Sequence, residues 1–87
     1  MTTVRIPQPI QIYTQDMDVV QVGGKNVREL INELEERYPG LKAALVEDDK
    51  LRPDVAIVLD GKISQLGLLQ PLSAEHEVVF IPAISGG

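Results

Sequence analysis

The chain has 87 residues, 44% of them apolar, with 13 acidic against 8 basic side chains for a net charge of −5. That length suits one small domain, the scattered basic residues argue against nucleic acid or an anionic membrane as partner, and no apolar run approaches the ~20 residues of a membrane span. Cysteine is absent, which excludes a disulfide framework, a thiolate metal site and a cysteine nucleophile; with nothing resembling a signal peptide, a cytoplasmic location is expected.

Thr3 to Ile6 alternates polar and apolar side chains and reads as a first strand, ended by Pro7 and Pro9, with Ile10 to Tyr13 able to resume it. A polar turn over residues 14–18 then leads to a second strand at Val19 to Val22, closed by Gly23 and Gly24, and the two strands are expected to pair as an antiparallel hairpin. Asn26 is a good helix N-cap, and Glu29 three residues on completes an Asn-x-x-Glu variant of the capping box. Val27, Leu30, Ile31, Leu34 and Tyr38 follow helical spacing, so the helix should bury that stripe. Glu33 and Arg37 are spaced to pair on its outer face for about 0.3 kcal/mol, and Pro39-Gly40 stops it.

Leu41 to Leu45 suits a turn or two of helix, and Glu47 to Lys50 reads as a charged surface loop. Val55 to Leu59 is an apolar run of strand length, Asp60-Gly61 is a strong hairpin signal, and Lys62-Ile63 begins the return. Residues 65–72, broken by Gly67 and Pro71, read as a packed connection leading to a turn at Ser73 to His76. Val78 to Ile81 has the composition of a central strand, and Pro82, which donates no ladder hydrogen bond, ends it.

This order predicts an α+β fold: a β-grasp (ubiquitin-like) mixed sheet with one main helix across one face, formed by residues 1–82, and a flexible Gly-Gly tail over residues 83–87. The first and last strands pair in parallel, and the helix crosses between them. If Val78 and Phe80 face the helix, alternation turns Val79 and Ile81 outward. They would then belong to an apolar docking patch, unless the 65–72 connection folds over that face.

Catalytic equipment is sparse. His76 is the one histidine and reads as a turn residue, and there is no HExxH, Walker A, GxSxG or dinucleotide fingerprint. No catalytic residue, metal ligand or bound cofactor is expected. The ending Gly86-Gly87 carries more information, since at a glycine frequency of roughly 7% a terminal pair occurs by chance in about one chain in two hundred. Bare glycine backbone lets a carboxylate thread a narrow channel in another protein.

The Asn26/Glu29-capped helix, the Asp60-Gly61 hairpin, the Pro71-Leu72 approach, the Glu77-Val78-Val79-Phe80-Ile81-Pro82 strand and the Ser85-Gly86-Gly87 end together resemble the MoaD/ThiS family of ubiquitin-like sulfur carriers. The resemblance implies a protein co-substrate rather than an enzyme. A partner adenylyltransferase of the ubiquitin-activating type would use ATP to adenylate the Gly87 carboxylate, a sulfur donor protein would convert it to a thiocarboxylate, and a biosynthetic enzyme would accept the sulfur. Gly86 would be the slim residue before the reacting carboxylate, and Val79 and Ile81 match positions that face partners in the family. Ala74-Glu75-His76 departs from the family's frequent Asp-Gly-Asp turn. The resemblance leaves cysteine or a molybdopterin- or thiamine-type cofactor as the product served; the ending is slightly closer to cysteine-pathway carriers than to the Pro-Pro-containing small subunits of molybdopterin synthase, and such a subunit or a ubiquitin-like modifier conjugated through Gly87 remains the alternative reading.

Overall fold

Val78 and Phe80, at 0% and 1% exposure, anchor the middle of the sheet, and burying side chains of this size stabilises a fold by about 1.5–3 kcal/mol each. The computed structural model describes residues 1–73 and 75–82. The expected tail at 83–87, with Gly86 and Gly87, lies outside the described residues. Strands β1 (Thr2–Arg5), β2 (Val19–Val22), β5 (Val55–Leu59), β6 (Lys62–Ile63) and β7 (Glu77–Pro82) form a five-stranded sheet in the order β2-β1-β7-β5-β6. The parallel pair is β1 with β7, Val4 lying beside Val78; β5 pairs antiparallel on the other side, Ile57 beside Phe80. This is the predicted β-grasp.

Helix α1 (Val27–Arg37) begins as the sequence indicates. The Asn26 side chain accepts from the Glu29 N–H at 2.9 Å, and the Glu29 carboxylate reaches back to the Lys25 N–H at 3.1 Å, one residue earlier than a standard capping box would place it. Val27, Leu30, Ile31 and Leu34 are buried against the sheet, while Tyr38 is the half-buried C-cap at the edge of the core. The short helix α2 (Leu41–Leu45) follows, adding Leu41 and Leu45 to the core.

Three details differ from the sequence reading, and a fourth, which it left open, is decided. Ile10 to Tyr13 does not resume the first strand: residues Gln8–Thr14 form a 3-10 helix with Pro7 at its N-cap. Prolines at 7 and 9 remove ladder donors and preset a helical φ, and the segment is held by Gln11 Nε2 donating to the Ile6 carbonyl at 2.9 Å and Thr14 Oγ1 donating to the Met17 carbonyl at 2.8 Å. The charged stretch at 47–50 is the tip of a two-stranded hairpin, β3 (Val46–Glu47) with β4 (Lys50–Leu51), its turn made by Asp48 and Asp49 at φ 55° and 61°. Aspartate tolerates that left-handed conformation.

The Glu33–Arg37 pair is not among the ion pairs of the described residues, which are Arg5 with Glu77, Arg28 with Asp49, Arg52 with Glu47 and Asp54, and His76 with Asp60. Both side chains are exposed, and a few tenths of a kcal/mol does not hold them together in water. Finally, residues 65–72 do not cover the outer face of the sheet. Their 3-10 turn, Gly67–Leu69, packs against α1 and β4, and Leu68 and Leu72 join the core on that side.

Candidate partner-docking face

The outer face follows from the strand register. Residues side by side on neighbouring strands share a face, so the run Val19, Arg5, Val79, Val58, Ile63 crosses the whole sheet, with Ile81 beside Ala56 in the next row. The opposite face holds Val4, Val20, Ile57, Val78 and Phe80 against α1. Val79 is half-buried, Ile81 is 44% exposed and Ile63 71% exposed, whereas the inward residues are sealed. The expected outward orientation of Val79 and Ile81 is therefore the observed one.

Polar groups frame this surface. Glu77, Thr3 and Gln21 make the row before Val79, and Arg5 Nε sits 3.0 Å from Glu77 Oε2 in a half-exposed ion pair. At the other end, where β7 finishes, Arg5, Ile6, Pro7, Asp18, Val79 and Ile81 border a shallow cleft of about 290 Å³. An apolar strip with a mixed-charge rim at the exit of a central strand can take the apolar side chains of another protein and fix their register through charge. Among the described residues no group of three His, Cys, Asp or Glu side chains could hold a metal ion, and no helix is long and apolar enough to cross a membrane.

Sequence reasoning identified the β7 members of this face and missed Val19, Val58, Ile63 and Arg5. Their signal was present, since the Asp60-Gly61 turn at φ 48° and 87° fixes the β5–β6 register and so places Ile63 beside Val58. It also missed a cluster at the opposite end of β7: Asp60 Oδ1 accepts the Glu77 N–H at 2.8 Å, Asp60 Oδ2 lies 2.5 Å from His76 Nδ1, and His76 Nε2 lies 2.9 Å from Ser73 Oγ. His76 is thus more than a turn residue. Glu75 beside it sits at φ 73°, the left-handed conformation for which an Asp-Gly-Asp turn would supply glycine.

A helix-backed mixed sheet with a parallel central pair and an apolar outer face that none of the described residues covers defines a ubiquitin-like protein of the β-grasp class. The ThiS family profile matches residues 4–87, and the chain belongs to that family of ubiquitin-like sulfur carriers and modifiers. Among solved structures it is similar to the CysO chain of the Amycolatopsis orientalis BexX/CysO complex, with 28% identity over 100% of both chains and a TM-score of 0.94. It is also similar to Mycobacterium tuberculosis CysO, with 25% identity, a TM-score of 0.90 and coverage of 97% of this chain and 100% of that one. The small archaeal modifier protein 1 of Methanosarcina acetivorans shares the fold, at 21% identity and a TM-score of 0.83 over 99% of this chain and 95% of its own. No curated protein sequence matches the chain.

Proposed function

We propose that this protein is a sulfur carrier whose Gly87 carboxylate is adenylated by a partner enzyme of the ubiquitin-activating type and then converted to a thiocarboxylate. The observation that carries this reading is the position of the docking face: Val79 and Ile81 face outward on the strand that runs into the Gly86-Gly87 ending. Five residues beyond Pro82 span at most about 17 Å, so a partner gripping the face would hold its nucleotide site within that reach. Glycine at 86 and 87 lets the chain enter where no side chain fits.

The carrier supplies no acid, base or bound cofactor in this scheme. A carboxylate oxygen attacks the α-phosphate of the partner's ATP and pyrophosphate leaves; sulfur from a donor protein then displaces AMP from the acyl carbon. A biosynthetic enzyme accepts the sulfur, and the resemblance of the ending to cysteine-pathway carriers supports a small-molecule product. The likeness of CysO, found in complex with BexX, supports action with a partner. The second reading, conjugation of Gly87 to lysines, is favoured by the shared fold of a small archaeal modifier protein.

Intact-mass analysis after incubation with the cognate activating enzyme, ATP and sulfur donor separates the two. Exchange of one oxygen for sulfur at Gly87 is expected. A ladder of isopeptide adducts with no thiocarboxylate would replace the carrier with the modifier.

A further inference from the structure

Ser73, His76 and Asp60 stand outside the docking face and share a continuous line of hydrogen bonds. Each is tied to the framework. Asp60 opens the β5–β6 turn with its N–H on the Glu77 carbonyl at 2.9 Å and its Oδ1 on the Glu77 N–H at 2.8 Å. The His76 carbonyl accepts the Thr3 N–H at 3.0 Å, and Ser73 follows the buried Leu72, whose N–H donates to the Lys25 carbonyl at 2.8 Å.

The proton positions follow from chemistry. The Glu77 backbone N–H, and after it the His76 ring, hold the Asp60 carboxyl below its ordinary value. An ionised carboxylate only accepts, so Nδ1 of the imidazole carries hydrogen and donates to Asp60. In the neutral ring Nε2 is then the acceptor, and the Ser73 hydroxyl donates to it. Hydroxyl, base and orienting carboxylate stand in the order that activates a nucleophilic serine.

Ser73 is exposed and borders a cleft of about 320 Å³ shared with Met1, Thr2, Gly23, Gly24, Lys25 and Leu72. Apart from its chain neighbours, no atom lies within 4 Å of where a Cβ on Gly23 would stand, so the cleft is open there, and Lys25 is among the residues that line it. From these observations we propose that Ser73, with His76 as base and Asp60 as orienting group, is a nucleophilic site that accepts the acyl group of a small activated ester bound in this cleft. His76 Nε2 takes the hydroxyl proton as Ser73 Oγ bonds to the carbonyl carbon. The ester C–O bond breaks, and the alcohol leaves with that proton. Water attacks the resulting Ser73 ester through the same base and releases the acid. The site lies at the start of β7, roughly 17 Å along the strand from Pro82, at the end opposite the cleft beside Val79 and Ile81.

The test is covalent labelling of the full chain with a fluorophosphonate and, separately, with 4-nitrophenyl acetate, each followed by peptide mass spectrometry. Ser64, whose Oγ bonds Gln70 Oε1 at 2.6 Å and has no imidazole partner, is the internal standard. Since a positioned base contributes typically 10²–10⁴-fold, Ser73 is expected to label at least about tenfold faster than Ser64. His76→Gln should bring it down to the Ser64 rate. Asp60→Asn keeps an acceptor for the Glu77 N–H but points an amide donor at Nδ1, which moves the ring hydrogen to Nε2 and removes the base; labelling should fall while the melting curve changes little. Ser73 labelling at the Ser64 rate, or unchanged labelling in the folded His76→Gln protein, would overturn the proposal and leave the hydrogen bonds as a clamp on the turn.

Discussion

Gly24 and Gly23 are adjacent yet answer differently to the same substitution. Gly24 sits at φ 140°, and an added Cβ would lie 2.7 Å from the Leu30 backbone nitrogen, while Gly23 has open space. Gly24→Ala is therefore expected to destabilise by more than about 1 kcal/mol, lowering the melting temperature by at least about 4–8 °C in a domain of this size. Gly23→Ala should melt with the parent. Three carboxylates make stability acid-sensitive. Glu35 is held below its ordinary value by the Lys42 and then the Gly40 backbone N–H, Asp49 by Arg28, and Asp60 by the Glu77 N–H and then His76. Because the folded values are depressed, their stabilisation is complete above the unfolded values and is lost as pH falls through the folded ones. Denaturant midpoints should drop on acidification below about pH 4, and Glu35→Gln should flatten that slope; an unchanged slope would remove Glu35 from the account. At this scale Asn26 was legible because a cap is local. The Glu35 contacts to the next helix and the Asp60–His76 contact cross a chain reversal, and no spacing rule signals them.

Strand β7 sends alternate residues into the core and onto the outer face of the sheet. Phe80→Ala empties a sealed site and should cost about 3–5 kcal/mol, read as a large loss in chemical denaturation. Val79→Asp and Ile81→Asp place a charge on the outer face instead. They should stay folded yet weaken binding to the activating partner by an order of magnitude or more, measured by titration calorimetry, since a charge in an apolar interface must be desolvated. Normal binding by both variants would remove the face from the docking account. The alternation was legible because a period of two needs only one buried residue to fix it. The 3-10 helix at Gln8–Thr14 and the β3–β4 hairpin were not, because two prolines and two left-handed aspartates decide them against apolar pattern and charge.

Across the whole molecule the order of elements was enough to derive the β-grasp, since a hairpin, a helix and a buried final strand close only if the last strand enters beside the first. What covers the outer face could not be read from order alone, because the 65–72 connection is as apolar as a lid would be; Leu68 settles it by packing toward α1. Among the described residues the sheet then leaves one face free, and its central strand is the element that precedes the diglycine in sequence. The most direct measurement is ATP–pyrophosphate exchange by the cognate activating enzyme with the parent protein, with Gly87 deleted, and with one residue added after Gly87, each variant checked by its melting curve. The account predicts unchanged melting for all three and exchange for the parent alone. Full exchange with the extended protein would contradict it.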